Sequence, residues 1–395
     1  MIKEKITLVK DTIDKDDVDN LIKWLKTYPR LTKGPKTIEF EKKWSEWIGC
    51  KYSVFVNSGS SANLLMLYAL KVMGKLKNDK VVVPALAWAT DMAPVLQLGF
   101  DPLICDCNLE NLSVDLGQLE SIFHHHAPSA MILVSVLGLS PDMEKIVALC
   151  KKYGVTLLED NCESQGTEFD GVRLGNFGLM SSFSTYFGHT MSTIEGGMVC
   201  TNDKEVYDLI KMLRSHGWDR DLDKEAQTKL RDKWDVDDFS ALYTFYEPGF
   251  NLRSTDLQAV IGIKQLDKVD GMIDQRNENF YHFLDTMKSY DKKKKVWTPS
   301  EHKESFTASF CYPMIFKTEK EKSKAVKALI KGGVETRPLI CGSMGTQPFF
   351  ISRYKRHVTP NANTVDECGI YVPNHPLLKK EDIEFICKTV IDAIK

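Results

Sequence analysis

Three short segments carry residues whose types and spacing could do chemistry. In Asn57-Ser58-Gly59-Ser60-Ser61-Ala62-Asn63, a β-rich run turns through small hydroxyl residues into an apolar helical stretch. Backbone N–H groups at a helix start attract phosphate, and a glycine lets it approach closely. The same serines also suit an ordinary N-cap. In Leu157-Leu158-Glu159-Asp160-Asn161-Cys162-Glu163, an apolar run ends in carboxylates. One of them could pair with a buried cation such as a protonated pyridine nitrogen. A solvated or metal-binding loop is the plainer reading, although no histidine lies nearby to complete an N/O metal site. In Ser181-Ser182-Phe183-Ser184-Thr185-Tyr186-Phe187-Gly188-His189, a third run meets hydroxyls and a histidine, followed by Glu195-Gly196-Gly197. A lone histidine is more often structural than catalytic, but it is the natural proton carrier near neutrality.

The elements that must position these segments follow from hydrophobic periodicity. Strand-like runs at 52–57, 81–86, 102–107, 130–137 and 155–160 alternate with helical stretches at 61–73, 88–98, 116–126 and 143–154. The continuous apolar run at 130–137 suits a parallel sheet covered on both faces. This alternation predicts an α/β fold whose ligands sit at the carboxyl ends of the strands. Residues 219–250 read as a long charged and aromatic connection, of a length usually reserved for function or a partner. A helix at 257–269 reads as a lobe junction. Helices near 319–332 and 380–394 with a strand at 308–316 predict a smaller α+β domain. The expected division is 1–268 for the large domain, with its N-terminal arm, and 269–395 for the small one.

The 395 residues are enough for more than one lobe. A net charge of -2 offers no broad basic face for nucleic acid or an anionic membrane. Lys292 to Lys295 read as a solvated loop. The N-terminus lacks the apolar core of a secretory signal, and no run approaches membrane-spanning length. The ten cysteines show no framework spacing, and a cytoplasmic location is expected. His124 to His126 read as the polar end of a surface helix.

Together the segments resemble one family over nearly the whole chain, the DegT/DnrJ/EryC1/StrS sugar aminotransferases. The resemblance runs through LTKGPKTIEFEKKWSEWIG (31–49), NSGSSANLLML (57–67), VVVPALAWATDMAPVLQLGFDPLICDCNLENLSVD (81–115), LLEDNCESQGTEFDG (157–171), SSFSTYFGHTMSTIEGG (181–197), PGFNLRSTDLQAVIG (248–262) and ETRPLI (335–340). It implies an aspartate-aminotransferase-like PLP enzyme of fold type I. Gly59, Ser60 and Ser184 would hold the PLP phosphate, Trp88 would stack on the ring, and Asp160 would face the ring nitrogen, with Glu163 close by. Asn251 would reach the phosphate of the other subunit, which implies a homodimer with shared active sites. Arg220, after RSHGW (214–218), is the preferred guess for a group holding the nucleotide diphosphate, ahead of Arg253 and Arg337.

One departure decides the expected reaction. Transaminating members carry a lysine six residues before the glutamate of Glu-Gly-Gly, and here that place holds His189, with no lysine anywhere from 181 to 197. A subgroup with this histidine acts as GDP-4-keto-6-deoxymannose 3-dehydratases. The resemblance then implies that L-glutamate converts PLP to PMP and that PMP joins a nucleotide-linked 4-keto-6-deoxy sugar. His189 would move the proton that expels the 3-hydroxyl, and ammonia would be released. In this subgroup a hydroxyl residue is expected before the histidine, where this chain has Gly188. The alternatives are a perosamine-synthase-like aminotransferase, which would need another lysine, and a catalytically silent aminotransferase fold. An iron–sulfur relative would need four cluster thiolates, and Cys105 with Cys107 make only one close pair.

Overall fold

The computed structural model describes residues 5–300, 305–340 and 342–395. Of the N-terminal stretch without an apolar core, residues 1–4 lie outside the described part.

A seven-stranded sheet forms the centre of the larger lobe. Its spatial order is Tyr52–Val56, Gly197–Thr201, Met180–Ser184, Thr156–Asp160, Ala130–Val134, Lys80–Pro84 and Asp101–Cys105. The five strands from Met180–Ser184 to Asp101–Cys105 pair in parallel, while Gly197–Thr201 runs antiparallel to both neighbours. The strand Ala130–Val134 is buried at every position, as its continuous apolar run requires. A four-stranded antiparallel sheet built on Cys311–Phe316 and Gly369–Pro373 forms the second core, covered by the helices Glu319–Lys331 and Lys380–Ile394.

Two elements differ from the sequence reading. The 219–250 connection contains the helix Lys224–Trp234 and a 3-10 turn at Ser240–Tyr243. Asp223 caps that helix by accepting the Ala226 N–H, and Asp235 closes it in a left-handed conformation. None of its residues is buried, so it lacks the apolar stripe that marks a packed helix. The junction helix ends at Leu266, and a separate 22-residue helix, Val269–Tyr290, follows at once. The expected domain division at 268/269 falls between these two helices. Cys105 and Cys107 are both buried free thiols with no second pair beside them among the described residues, and burial pushes Cys107 up to about 12.

Candidate active site

The three chemical segments meet at the carboxyl ends of the strands. Ser58 caps the helix Gly59–Val72, its Oγ accepting the Ser61 N–H at 3.1 Å. Gly59 is packed so tightly that a Cβ there would lie 2.7 Å from Cβ of Ser184 and 2.8 Å from Sγ of Cys162. Gly59 therefore joins the turn, the Ser184 strand end and the carboxylate strand end in one place. Ser60 is exposed at the helix start, with its hydroxyl available, while Ser184 is buried and its Oγ accepts the Tyr186 N–H at 3.3 Å. The turn is tied to the residue that follows PGFN, the Asn57 N–H donating to the Leu252 carbonyl at 3.0 Å.

Adjacent residues of a strand point to opposite faces, and the two carboxylates at the end of Thr156–Asp160 separate accordingly. Glu159 is occupied by three backbone N–H donors from Gly175, Phe177 and Gly178, at 2.8, 2.8 and 2.6 Å. Its role is to hold that loop. Asp160 faces the Gly59 helix: its Oδ2 accepts the Asn63 amide at 2.5 Å and its Oδ1 the Cys162 N–H at 2.8 Å. Asp160 is buried and no hydrogen bond to it comes from lysine or arginine among the described residues. A buried carboxylate without a cation is costly, so the site is suited to a cationic ring nitrogen.

Glu163 accepts the Leu137 N–H through Oε2 at 2.8 Å. Leu137 has a left-handed backbone (φ 53) that turns this N–H toward the carboxyl. Burial, with the Asp160 charge adding to it, raises Glu163 to about 8 against the pull of that hydrogen bond. The carboxyl is therefore protonated at neutral pH.

His189 lies in the turn after Met180–Ser184, its N–H donating to the Tyr186 carbonyl at 2.9 Å. The ring sits 5.3 Å from that of Phe310, and its buried Nδ1 has no hydrogen-bond partner among the described residues. Burial lowers its pKa to about 4, the Arg276 cation acting in the same direction and Asp160 opposing. The imidazole is thus neutral at physiological pH and can accept a proton. Arg276, buried in the helix Val269–Tyr290, donates to the carbonyls of Phe310 at 3.0 Å, Asn374 at 2.5 Å and His189 at 3.4 Å. It pins the His189 turn to the smaller sheet.

Trp88 precedes the helix Ala89–Gln97 and is 54 % exposed, an open aromatic face beside the Gly59 cradle's helix. Asn251 is exposed and accepts the Arg253 Nε–H at 2.9 Å. Arg220 stacks on Trp218 at 3.8 Å and donates to the Leu242 carbonyl, so its contacts lie in the 219–250 excursion and on the residue just before it. Asn63, Asp91, Ser182 and Arg276 escaped sequence reasoning. Asn63 carried a signal, since it is a polar residue on the buried side of an otherwise apolar helix.

Residues 11–391 match the model of the DegT/DnrJ/EryC1/StrS aminotransferase family. The chain belongs to that family. It is 33% identical over 363 residues to a GDP-4-keto-6-deoxy-D-mannose 3-dehydratase of Yersinia pseudotuberculosis, covering 90% of each chain. Among solved structures of this family, it is similar to E. coli GDP-4-keto-6-deoxy-D-mannose-3-dehydratase with bound hydrated PLP. That TM-score is 0.90 at 29% identity, over 98% of this chain and 99% of that one. A GDP-4-keto-6-deoxymannose-3-dehydratase structure with a trapped PLP-glutamate geminal diamine gives a TM-score of 0.88, also at 29% identity, over 98% and 100% of the two chains.

Proposed function

We propose that this member of the family is a PLP- and glutamate-dependent dehydratase that removes the 3-hydroxyl of a nucleotide-linked 4-keto-6-deoxy sugar, of the GDP-4-keto-6-deoxymannose type, and releases ammonia. The observation that carries the reading is His189, a neutral, half-buried imidazole with a buried Nδ1, where transaminating members hold the lysine. The cradle of Gly59, Ser60 and Ser184 suits the cofactor phosphate, Trp88 its ring face and Asp160 its ring nitrogen. When bound, the cofactor supplies the amine that joins the 4-keto group, cycling between PLP and PMP, and an electron sink next to it.

The protein's own groups then have defined tasks. Asp160, whose oxygens accept the Asn63 amide and the Cys162 N–H, would pair with the ring nitrogen and favour its protonated form. With the cofactor bound, the neutral His189 imidazole would take the proton from the cofactor carbon that bears the amine and, as imidazolium, deliver it to the departing hydroxyl on sugar carbon 3. The C–O bond breaks there and water leaves. Histidine, unlike lysine, offers no amine to displace the product. With the carbon-3 hydroxyl gone, the released sugar would carry its carbon-4 nitrogen as an enamine, which tautomerises to an imine and is hydrolysed to the ketone and ammonia. Arg220 is retained as the preferred contact for the nucleotide diphosphate.

Asn251 and Trp88 are exposed, and the 219–250 excursion carries exposed Phe239, Leu242, Tyr243 and Phe245. We assign these surfaces to a homodimer with shared sites and the domains to 1–268 and 269–395. Incubation with PLP, L-glutamate and GDP-4-keto-6-deoxymannose tests the reaction. Ammonia and a sugar lighter by one oxygen support it, whereas a stable amino sugar without ammonia returns the chain to the transaminases.

A further inference from the structure

Beneath Asp160 lies a buried polar cluster that the proposed reaction leaves unused. Ser182 Oγ donates to Asn63 Oδ1 at 2.5 Å, which fixes which end of the amide faces the carboxylates. Asn63 Nδ2 then donates to Asp160 Oδ2 at 2.5 Å and reaches Asp91 Oδ1 at 3.4 Å. Asp91 Oδ2 accepts the N–H of Trp88 at 3.0 Å. Asn63, Asp91 and Ser182 are all buried, and none of these bonds involves a lysine or arginine.

From this arrangement we infer that Asp91 is a positioning residue that acts as a neutral carboxylic acid, holding Asp160 as the single anion for the cofactor's ring nitrogen and tying it to the Trp88 backbone that presents the ring's stacking face. The inference rests on the PLP reading of the site and deepens it.

Two carboxyl groups sharing one amide nitrogen in a dry site cannot both ionise, because the second charge meets both desolvation and the first charge. The geometry says which one yields. Asp160 has two strong donors, the Asn63 amide at 2.5 Å and the Cys162 N–H at 2.8 Å, both favouring its anion. Asp91 has one good donor and a long contact. Burial, then the charge of Asp160, accordingly pushes Asp91 well above the usual carboxylate range. Asp91 also caps the Ala89–Gln97 helix through its bond to Trp88. One side chain thus couples the group facing the ring nitrogen to the backbone of the group facing the ring.

An asparagine at position 91 reproduces a neutral carboxylic acid in shape and in its capacity to donate and accept. The test is PLP affinity of the full-length apoprotein, by absorbance and fluorescence titration, with Asp160→Ala as reference. Asp91→Asn should bind within about twofold of the unmodified protein and give the same bound-cofactor spectrum. Asp91→Ala should bind at least about tenfold more weakly, the scale of one lost hydrogen bond to a charged group, with a shifted spectrum. Ser182→Ala keeps the volume and should weaken binding in the same direction, which preserves the test if Asp91→Ala does not fold. If Asp91→Asn loses as much as Asp91→Ala, Asp91 is needed as an anion and the inference is wrong. It is equally wrong if Asp160→Ala weakens binding while Asp91→Ala and Ser182→Ala leave both affinity and spectrum unchanged. If the unmodified protein binds no PLP, or Asp160→Ala binds as well as it does, the PLP reading itself fails, and the inference with it.

Discussion

At the scale of single residues, the environment of His189 decides what its chemistry can be. An imidazole lowered to about 4 by burial is neutral through the physiological range. Replacement by asparagine keeps a polar group of similar size but cannot carry a proton through a reaction cycle. His189→Asn should therefore keep PLP binding within a few fold and lose turnover by at least about 100-fold, the low end of a general acid–base contribution. The sign of the linked stability is equally definite. His189 and His375 both have folded values of about 4, below the ordinary 6.5. The unfolded chain therefore binds more protons between those values, and stability from these groups is complete above 6.5 and lost as pH falls toward 4. Glu163, raised to about 8, acts in the opposite direction, its contribution present below its ordinary 4.5 and lost as pH rises through 8. Denaturant titrations from pH 4 to 6.5 should show a shallower loss in His189→Asn than in the unmodified chain. His189 was legible in the sequence because its place in the motif could be counted from Glu195. The Asp91–Asn63–Asp160 contact was not, because it joins positions far apart in the chain that only the sheet brings together.

Elements place these residues through close backbone packing. Gly59→Ala would force its Cβ to within 2.7 Å of Ser184 and 2.8 Å of Cys162. Overpacking of this kind costs about 1–3 kcal/mol, and here it would also push apart the groups assigned to the phosphate. A calorimetric melt should show the destabilisation, and PLP titration a weaker site. Behind the turn, buried Arg214 joins three elements. Its Nη1 donates to Glu41 at 2.6 Å and to the Phe55 carbonyl at 2.9 Å, and its Nη2 to Asp221 at 3.1 Å. Arg214→Met strands the Glu41 carboxylate and should cost about 3–5 kcal/mol in denaturant unfolding. Alternating apolar strands and helices make the parallel part of the large sheet legible in the sequence, but not the antiparallel strand Gly197–Thr201, which no helix separates from its neighbour. The helix Val269–Tyr290 escaped because its apolar positions are diluted by charged and polar residues such as Asp270, Asp274, Arg276 and Asn279. Lys224–Trp234 escaped because it buries nothing, leaving only its caps as signals.

For the whole molecule, the proposed function requires an aminotransferase framework to serve a different outcome. On the proposed reading, the sheet order, the Gly59 turn and Asp160 would hold a cofactor, while the His189 turn, pinned by Arg276, would offer a proton carrier in place of a covalent tether. Exposed aromatic residues on the excursion, with Phe239 82 % and Tyr243 79 % exposed, suit the proposed contact with a second copy. Sedimentation at micromolar concentration should give twice the 44.9 kDa chain mass, and a monomer would contradict shared sites. The most direct test of the account follows the fate of nitrogen and oxygen in one reaction. With PLP, 15N-labelled L-glutamate and GDP-4-keto-6-deoxymannose, the account requires the label to appear as free ammonia and the sugar to lose one oxygen. Label retained on a sugar that keeps its 3-hydroxyl would contradict it.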